Sequence, residues 1–127
     1  MGTIGENIQG RVNGIAGTGG TTEHRFVKPA NGADMQVVAA GAGDFACGVA
    51  EDTAAAGASV SIVTHGDVIV EAAGAITRAG VVMSNSAGKA TAGTGAGNAP
   101  LGIALETAAN DGDLILVRLY LTMKALA

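Results

Sequence analysis

The chain has 127 residues, a formal net charge of −4 and seven basic residues scattered from Arg11 to Lys124. Nucleic-acid binding relies on clustered Lys and Arg, so this charge pattern argues against it. Alanine and glycine dominate, tryptophan is absent, and the aromatic residues are Phe26, Phe45 and Tyr120. Because large side chains contribute most of the burial free energy, such a core is thin, and we expect the fold to bury further surface against copies of itself or a partner.

Targeting and anchoring segments are not evident in the sequence. No apolar stretch approaches the ~20 residues that a membrane span needs, and the N-terminal residues lack the basic-then-apolar order of a signal peptide. We therefore expect a soluble protein that is made in a cytoplasm and does not act on membranes. The single cysteine, Cys47, has apolar neighbours, which predict a buried small residue rather than a nucleophile.

Residues 1–22 have the composition of a flexible, glycine-rich N-terminal arm, with seven glycines. Four apolar residues recur along it at near-helical spacing, but interrupting glycines cost about 1 kcal/mol each in a helix. We expect an extended arm whose apolar side chains anchor it on a partner surface; a disordered tail is the alternative. The candidate anchors are Ile4, Ile8, Val12 and Ile15.

From residue 23 to residue 127 the pattern is that of short strands joined by turns in a single domain. Ser59–Thr64 and Asp67–Ala73 alternate apolar and polar residues, and the His-Gly-Asp sequence at 65–67 predicts a tight turn between them. Val81–Met83 is a further short strand, and Leu114–Leu121 is apolar enough for a strand buried on both faces. Short strands with Gly turns predict an all-β fold, a small barrel or sandwich.

An internal duplication is the most informative feature of the sequence. Residues 41–55 align with residues 95–109 at an offset of 54, with eight of fifteen positions identical. After one inserted residue the offset becomes 55, and the apolar residues of the next strand also match. The pattern predicts one supersecondary unit used twice, over about 27–64 and 81–121, with the copies related by a pseudo-two-fold or packed as paired elements.

Four glycines have predicted structural roles in the two copies. Gly48 and Gly102 lie within predicted strands, where a glycine marks a close backbone approach or a bulge. Gly57 and Gly112 lie at matching connections, where we expect turns.

The second copy also resembles a known family. In order, Ala79–Val82, Leu101–Ala108 and Asp111–Val117 (AGVV, LGIALETA and DGDLILV) resemble the capsid cement (decoration) proteins of tailed bacteriophages. The resemblance covers roughly residues 58–121. It implies a compact β domain, commonly a homotrimer, on the virion exterior where major-capsid subunits meet. It also implies a flexible N-terminal arm, synthesis in the host cytoplasm, and the major capsid protein and further copies of the chain as partners.

Catalytic, cofactor and metal sites are not predicted. His65 and Asp67 near Ser59 or Ser61 are half of a possible triad, but the serines alternate along a plain strand rather than a sharp turn. The lysine in Gly-Lys-Ala at 88–90 lacks the following Ser or Thr of a phosphate-binding loop. An EF-hand needs more ligands than the two aspartates at 111 and 113 supply. We expect a protein that is not an enzyme and has no cofactor, metal or small-molecule substrate.

Two alternative functions are left open by the sequence. A fibre or tail-associated phage structural protein would share the β-rich, trimeric habit. A biotinyl- or lipoyl-like carrier domain is suggested by Met123-Lys124, but fits less well, because the modified lysine of such domains lies between two half-barrels and only three residues follow Lys124 here.

Overall fold

The computed structural model describes residues 6–32, 34–93 and 97–121, and these residues form nine strands and no helix. Within that part of the chain no helix is long and apolar enough to cross a membrane. The all-β prediction is confirmed. The strands are β1 (Asn7–Ala16), β2 (Arg25–Pro29), β3 (Gln36–Ala39), β4 (Gly48–Ala50), β5 (Ser59–Glu71), β6 (Val81–Ser84), β7 (Ala90–Ala92), β8 (Gly102–Ala104) and β9 (Leu114–Leu119).

All nine strands belong to one sheet, in the order β1-β3-β2-β4-β5-β9-β8-β6-β7. An additional β1–β5 pairing closes the first five strands into a ring. A parallel bridge between Ala72 and Ala90 brings the end of β5 to β7 and closes the other half of the sheet in the same way. The long strand β5 is shared: its first half pairs with β1 and β4, and its second half pairs with β9.

β5 runs through the His-Gly-Asp sequence at 65–67, so the predicted turn there is wrong. Gly66 has a φ of +116°, and a Cβ at this position would collide with the Asn7 carbonyl oxygen. The register with β1 shifts twice between Ile8 and Arg11, which is the signature of a bulge. Glycine at residue 66 therefore permits a bulged, continuous strand rather than a reversal of the chain.

The expectation of a flexible arm is also wrong for residues 7–16, although they are extended as expected. They form β1, which is paired antiparallel with β5 from Asn7 to Ile15. The two glycines within β1 are instead sites of close approach, because a Cβ on Gly10 would lie 2.8 Å from the Thr64 hydroxyl oxygen and one on Gly14 2.9 Å from the Met35 carbonyl oxygen. Pairing with β5 satisfies, within the fold, the backbone N–H and C=O groups of β1 that face β5. Ile4 lies outside the described residues.

The internal duplication is present in the structure and extends beyond the predicted repeats. Val49 pairs with Val63 in the first half, and the matching residues Ile103 and Arg118 pair in the second. In the first unit β1 pairs with the start of β5. In the second unit the end of β5 takes the place of β1 and pairs with β9. We call residues 7–66 the first unit and residues 67–121 the second unit.

Hydrogen bonds in the connections repeat as well. Thr21 and Ala54 exchange two backbone hydrogen bonds, and so do their counterparts Ile76 and Ala108. A threonine hydroxyl accepts from a backbone N–H in each unit. The two units therefore share strand pairings and connection hydrogen bonds, as the paired-copy prediction requires.

The core is distributed unequally between the units. Alternate residues of β4 and β5 point to opposite faces of the sheet. Val49 and Val63 lie on the outer face of the first unit and belong to the larger apolar cluster. That cluster contains the interior of the second unit, including Leu101 and Val117. The outer face of the first unit thus packs on the second unit, whereas the interior of the first unit forms a smaller, separate cluster with Ile62.

Candidate binding surface

An apolar cavity of about 420 Å³ opens from the interior of the first unit. Its walls include Val12 from β1, Val37 from β3, Ile62 from β5 and the Cys47 side chain, with Met35 at its rim. The corresponding space in the second unit is filled. Val70 and Leu101, both fully buried, stand there in place of Gly14 and Cys47.

Cys47 is half-buried in this cavity, where desolvation raises the pKa of its thiol. The thiol therefore stays protonated at neutral pH, which disfavours a nucleophilic role because the thiolate is the reactive form. Its place in the fold is that of a small apolar residue.

Seven large apolar side chains are exposed on the described surface. They are Val12, Ile15, Met35, Phe45, Val81, Leu114 and Tyr120. Two of the predicted anchors, Val12 and Ile15, belong to this group and lie on β1. A third anchor, Ile8, is partly buried and packs against the larger core cluster. The structure therefore divides the predicted anchors between surface and core.

The predicted structural glycines lie at two kinds of position. Gly57 and Gly112 have φ values of +88° and +95° in matching turns. Gly48 and Gly102 are buried in β4 and β8, where an added Cβ would collide with a carbonyl oxygen of the neighbouring strand.

Cationic side chains on the described surface are largely neutralised by carboxylates. Arg11 donates to Glu51 at 2.8 Å, and this hydrogen bond holds the pKa of Glu51 below its ordinary value. The remaining pairs are Lys28 with Asp44, Arg25 with Glu71, Lys89 with Glu71 and Asp111, and Arg118 with Asp67. Paired cations of this kind do not form the basic patch that nucleic acid requires.

The residues considered for catalysis have other partners. The Asp67 carboxylate accepts from Arg118, while Nδ1 of His65 lies 3.0 Å from the Thr64 hydroxyl. The Ser61 hydroxyl donates to Glu51 at 2.7 Å.

Asp113, the second of the two aspartates considered for calcium, accepts hydrogen bonds from the backbone N–H groups of Ala109 and Asn110. Those bonds hold its pKa below the ordinary value for Asp. Asp111 accepts from Lys89 instead. Among the described residues no three His, Cys, Asp or Glu side chains cluster as a metal site. Lys124, considered for a carrier domain, lies outside the described residues.

Comparison with known proteins places this geometry among phage structural proteins. A family model described as phage cement protein matches residues 14–119. The chain is also similar to the N base of the head fiber gp8.5 of bacteriophage phi29, with a TM-score of 0.73 and 18% identity over 87% of this chain and 92% of that one. At that identity the likeness concerns the fold alone. No curated protein matches the chain.

Proposed function

The chain belongs to the phage cement protein family, and from that premise we propose that it binds the outer surface of a major-capsid shell and stabilises it by bridging neighbouring subunits. It is a structural virion protein of a phage. The observation that carries the proposal is the family match, which spans nearly the whole described fold.

Bridging works by adding buried area at the seams between shell subunits. Exposed Val12, which lines the cavity of the first unit, and exposed Ile15 are the proposed shell contacts, together with Ile4. Stable protein interfaces bury about 1,600 Å², and several contacts per oligomer multiply weak individual affinities. Because the Ala, Val and Ile core contributes little burial free energy, burial against the shell would add to the stability of the fold.

The remaining parts of the proposal concern partners and location. The partners are the major capsid protein and other copies of this chain, assembled as a homotrimer on the capsid exterior after synthesis in the host cytoplasm. A net charge of −4 keeps such a surface from adhering to packaged DNA.

Co-sedimentation with capsids tests the proposal. Purified protein is mixed with its phage's capsids stripped of decoration, in expanded and unexpanded forms, and the pellets are examined by gel and cryo-electron microscopy. Saturable binding with density at subunit junctions is the expected result. Absence of binding to both forms would overturn the proposal.

A second candidate function is a fibre or tail-associated structural role, and the fold likeness to a phage head fibre base favours it. Immunogold labelling of virions separates the two functions. Label spread over the shell supports cement, whereas label confined to fibres or tails supports the alternative.

A further inference from the structure

The two units touch each other through a defined contact inside the chain. The Phe26 N–H of the first unit donates to the Gly88 carbonyl at 2.8 Å, in the β6–β7 hairpin of the second unit. The Ala99 N–H donates to the Gly43 carbonyl at 3.0 Å. Phe26 and Ala99 are fully buried. The hairpin side of the second unit therefore seals the outer face of the first.

Strand register identifies the counterpart of each contact residue in the other unit. Pro29 pairs with Val37 in the first unit, and the equivalent pair in the second unit is Ser84 with Ala90. Met35 lies two residues before Val37 and Gly88 two residues before Ala90, so Met35 and Gly88 occupy equivalent positions. Met35 also shares the positive φ of Gly88, at 63° and 82°. By the same register and the sequence repeat, the remaining counterparts are Val81 for Phe26, Phe45 for Ala99 and Gly97 for Gly43.

The counterparts are among the most exposed apolar residues of the described chain. Met35 is 61% exposed, Phe45 38% and Val81 44%. Each unit thus has both surfaces of the contact, but only one surface of each is covered. The first unit leaves its hairpin side (Met35 and Phe45) open, and the second unit leaves its outer face (Val81) open.

Side-chain sizes are distributed differently over the uncovered surfaces. In the covered contact, small Gly88 bonds to the Phe26 backbone and small Ala99 bonds to Gly43. On the open surfaces the sizes are exchanged, with large side chains on the hairpin side and the smaller Val81 on the outer face. The open surfaces therefore carry more apolar side chain than the covered contact, which favours their burial.

Charges at the uncovered surfaces also suit burial. Arg25, Glu71 and Lys89 form a charged group at the covered contact. Their counterparts by register are Gly80, Ile15 and Gln36, which carry no charge. Burial at these three positions therefore desolvates no ion pair, and the Lys28–Asp44 pair lies beside Phe45.

We propose that the hairpin side of one copy, with Met35 and Phe45, packs on the Val81 outer face of a second copy and repeats the contact between the two units. The inference deepens the self-association in the proposed function and does not depend on shell binding. Because the two surfaces differ, the contact is heterologous, and each copy offers both halves of it. Such a contact assembles copies head to tail, as a ring where the rotation closes, and not as a two-fold dimer.

Cysteine cross-linking without capsids tests the contact. In a Cys47→Ala background, the Met35→Cys and Val81→Cys chains are co-expressed and oxidised. The mixture should give a disulfide-linked dimer, and either chain alone should stay uncross-linked. A disulfide needs Cβ atoms about 3.5–4.5 Å apart, so the bond reports direct apposition. Leu114→Cys, at a residue 50% exposed and outside both surfaces, replaces Val81→Cys as the matched control.

Light scattering gives a second, independent measurement. Val81→Asp should reduce the assembly to the 12.3 kDa single chain, and Leu114→Asp should leave the assembly mass unchanged. Circular dichroism checks that both variants stay folded. A wild-type protein that is a single chain at micromolar concentration overturns the inference. So does equal cross-linking by the Leu114→Cys control, or an unchanged mass for folded Val81→Asp.

Discussion

Asp67 and Arg118 face each other across β5 and β9 and are joined by two hydrogen bonds, at 2.7 Å from Nε and 3.0 Å from Nη2 of the arginine. Their counterparts in the first unit are Arg11 and Val63, so the pair belongs to the second unit alone. Asp67 is buried, and the hydrogen bond from Arg118 holds its pKa below the ordinary value.

This pair predicts a contribution to stability that depends on pH. Because folding lowers the pKa of Asp67, the contribution is complete above the unfolded pKa of about 3.9 and is lost as the pH falls through the lowered native pKa. Arg118→Gln should lower Tm at pH 7 and have little effect near pH 2. Thermal unfolding followed by circular dichroism across this range measures the effect. An equal loss of Tm at both pH values would contradict the assignment.

Glycine in the paired strands should resist replacement where backbones meet. Gly48→Ala and Gly102→Ala place a Cβ against the carbonyl oxygens of Val63 and Arg118, so each should cost about 1–3 kcal/mol. Gly74→Ala is the matched control, because no atom lies within 4 Å of its added Cβ. It should be neutral or stabilise by about 0.4–1 kcal/mol. Urea titration gives the three values, and a Gly102→Ala variant as stable as Gly74→Ala would contradict the prediction.

The filled and unfilled interiors predict unequal costs at matching positions. Leu101→Ala removes a fully buried side chain and should cost about 2–5 kcal/mol. Cys47→Ala should cost less than about 1.5 kcal/mol, since the thiol lines a cavity that is already open. Urea unfolding of the two variants measures the difference. Equal costs would show that the first interior is as well packed as the second.

Shell binding should depend on β1. Removing the whole arm would remove a strand, so a point substitution is the sharper test. Val12→Asp should weaken capsid binding about tenfold or more, because a buried Val contributes about 1.5–3 kcal/mol. Co-sedimentation across a concentration series measures the change, with Leu114→Asp as an exposed control. Unchanged binding by folded Val12→Asp would remove Val12 from the shell contact.

Local sequence patterns were sufficient to predict the strands and repeats whose conformation depends on their own residues. The apolar run from Leu114 predicted a strand buried on both faces, and β9 (Leu114–Leu119) is that strand, buried except at Leu114 and Arg118. The repeat at 41–55 and 95–109 predicted two copies of one unit. It was detectable because matching residues are retained in β4, which pairs with β5, and in β8, which pairs with β9. The rest of the duplication was missed because β1 and the end of β5 share a backbone path but little sequence.

Long-range pairing was beyond the sequence for a physical reason. A glycine that allows a flexible chain also allows a close backbone approach, and only the partner strand distinguishes the two cases, as at Gly14 and Gly66. Likewise, apolar residues such as Met35 and Val81 look like core residues until their neighbours are known. The sequence by itself determined an all-β chain built from a duplicated unit. The tertiary structure alone decided which copy's interior is filled and which surfaces stay open, because burial depends on contacts between residues far apart in the chain.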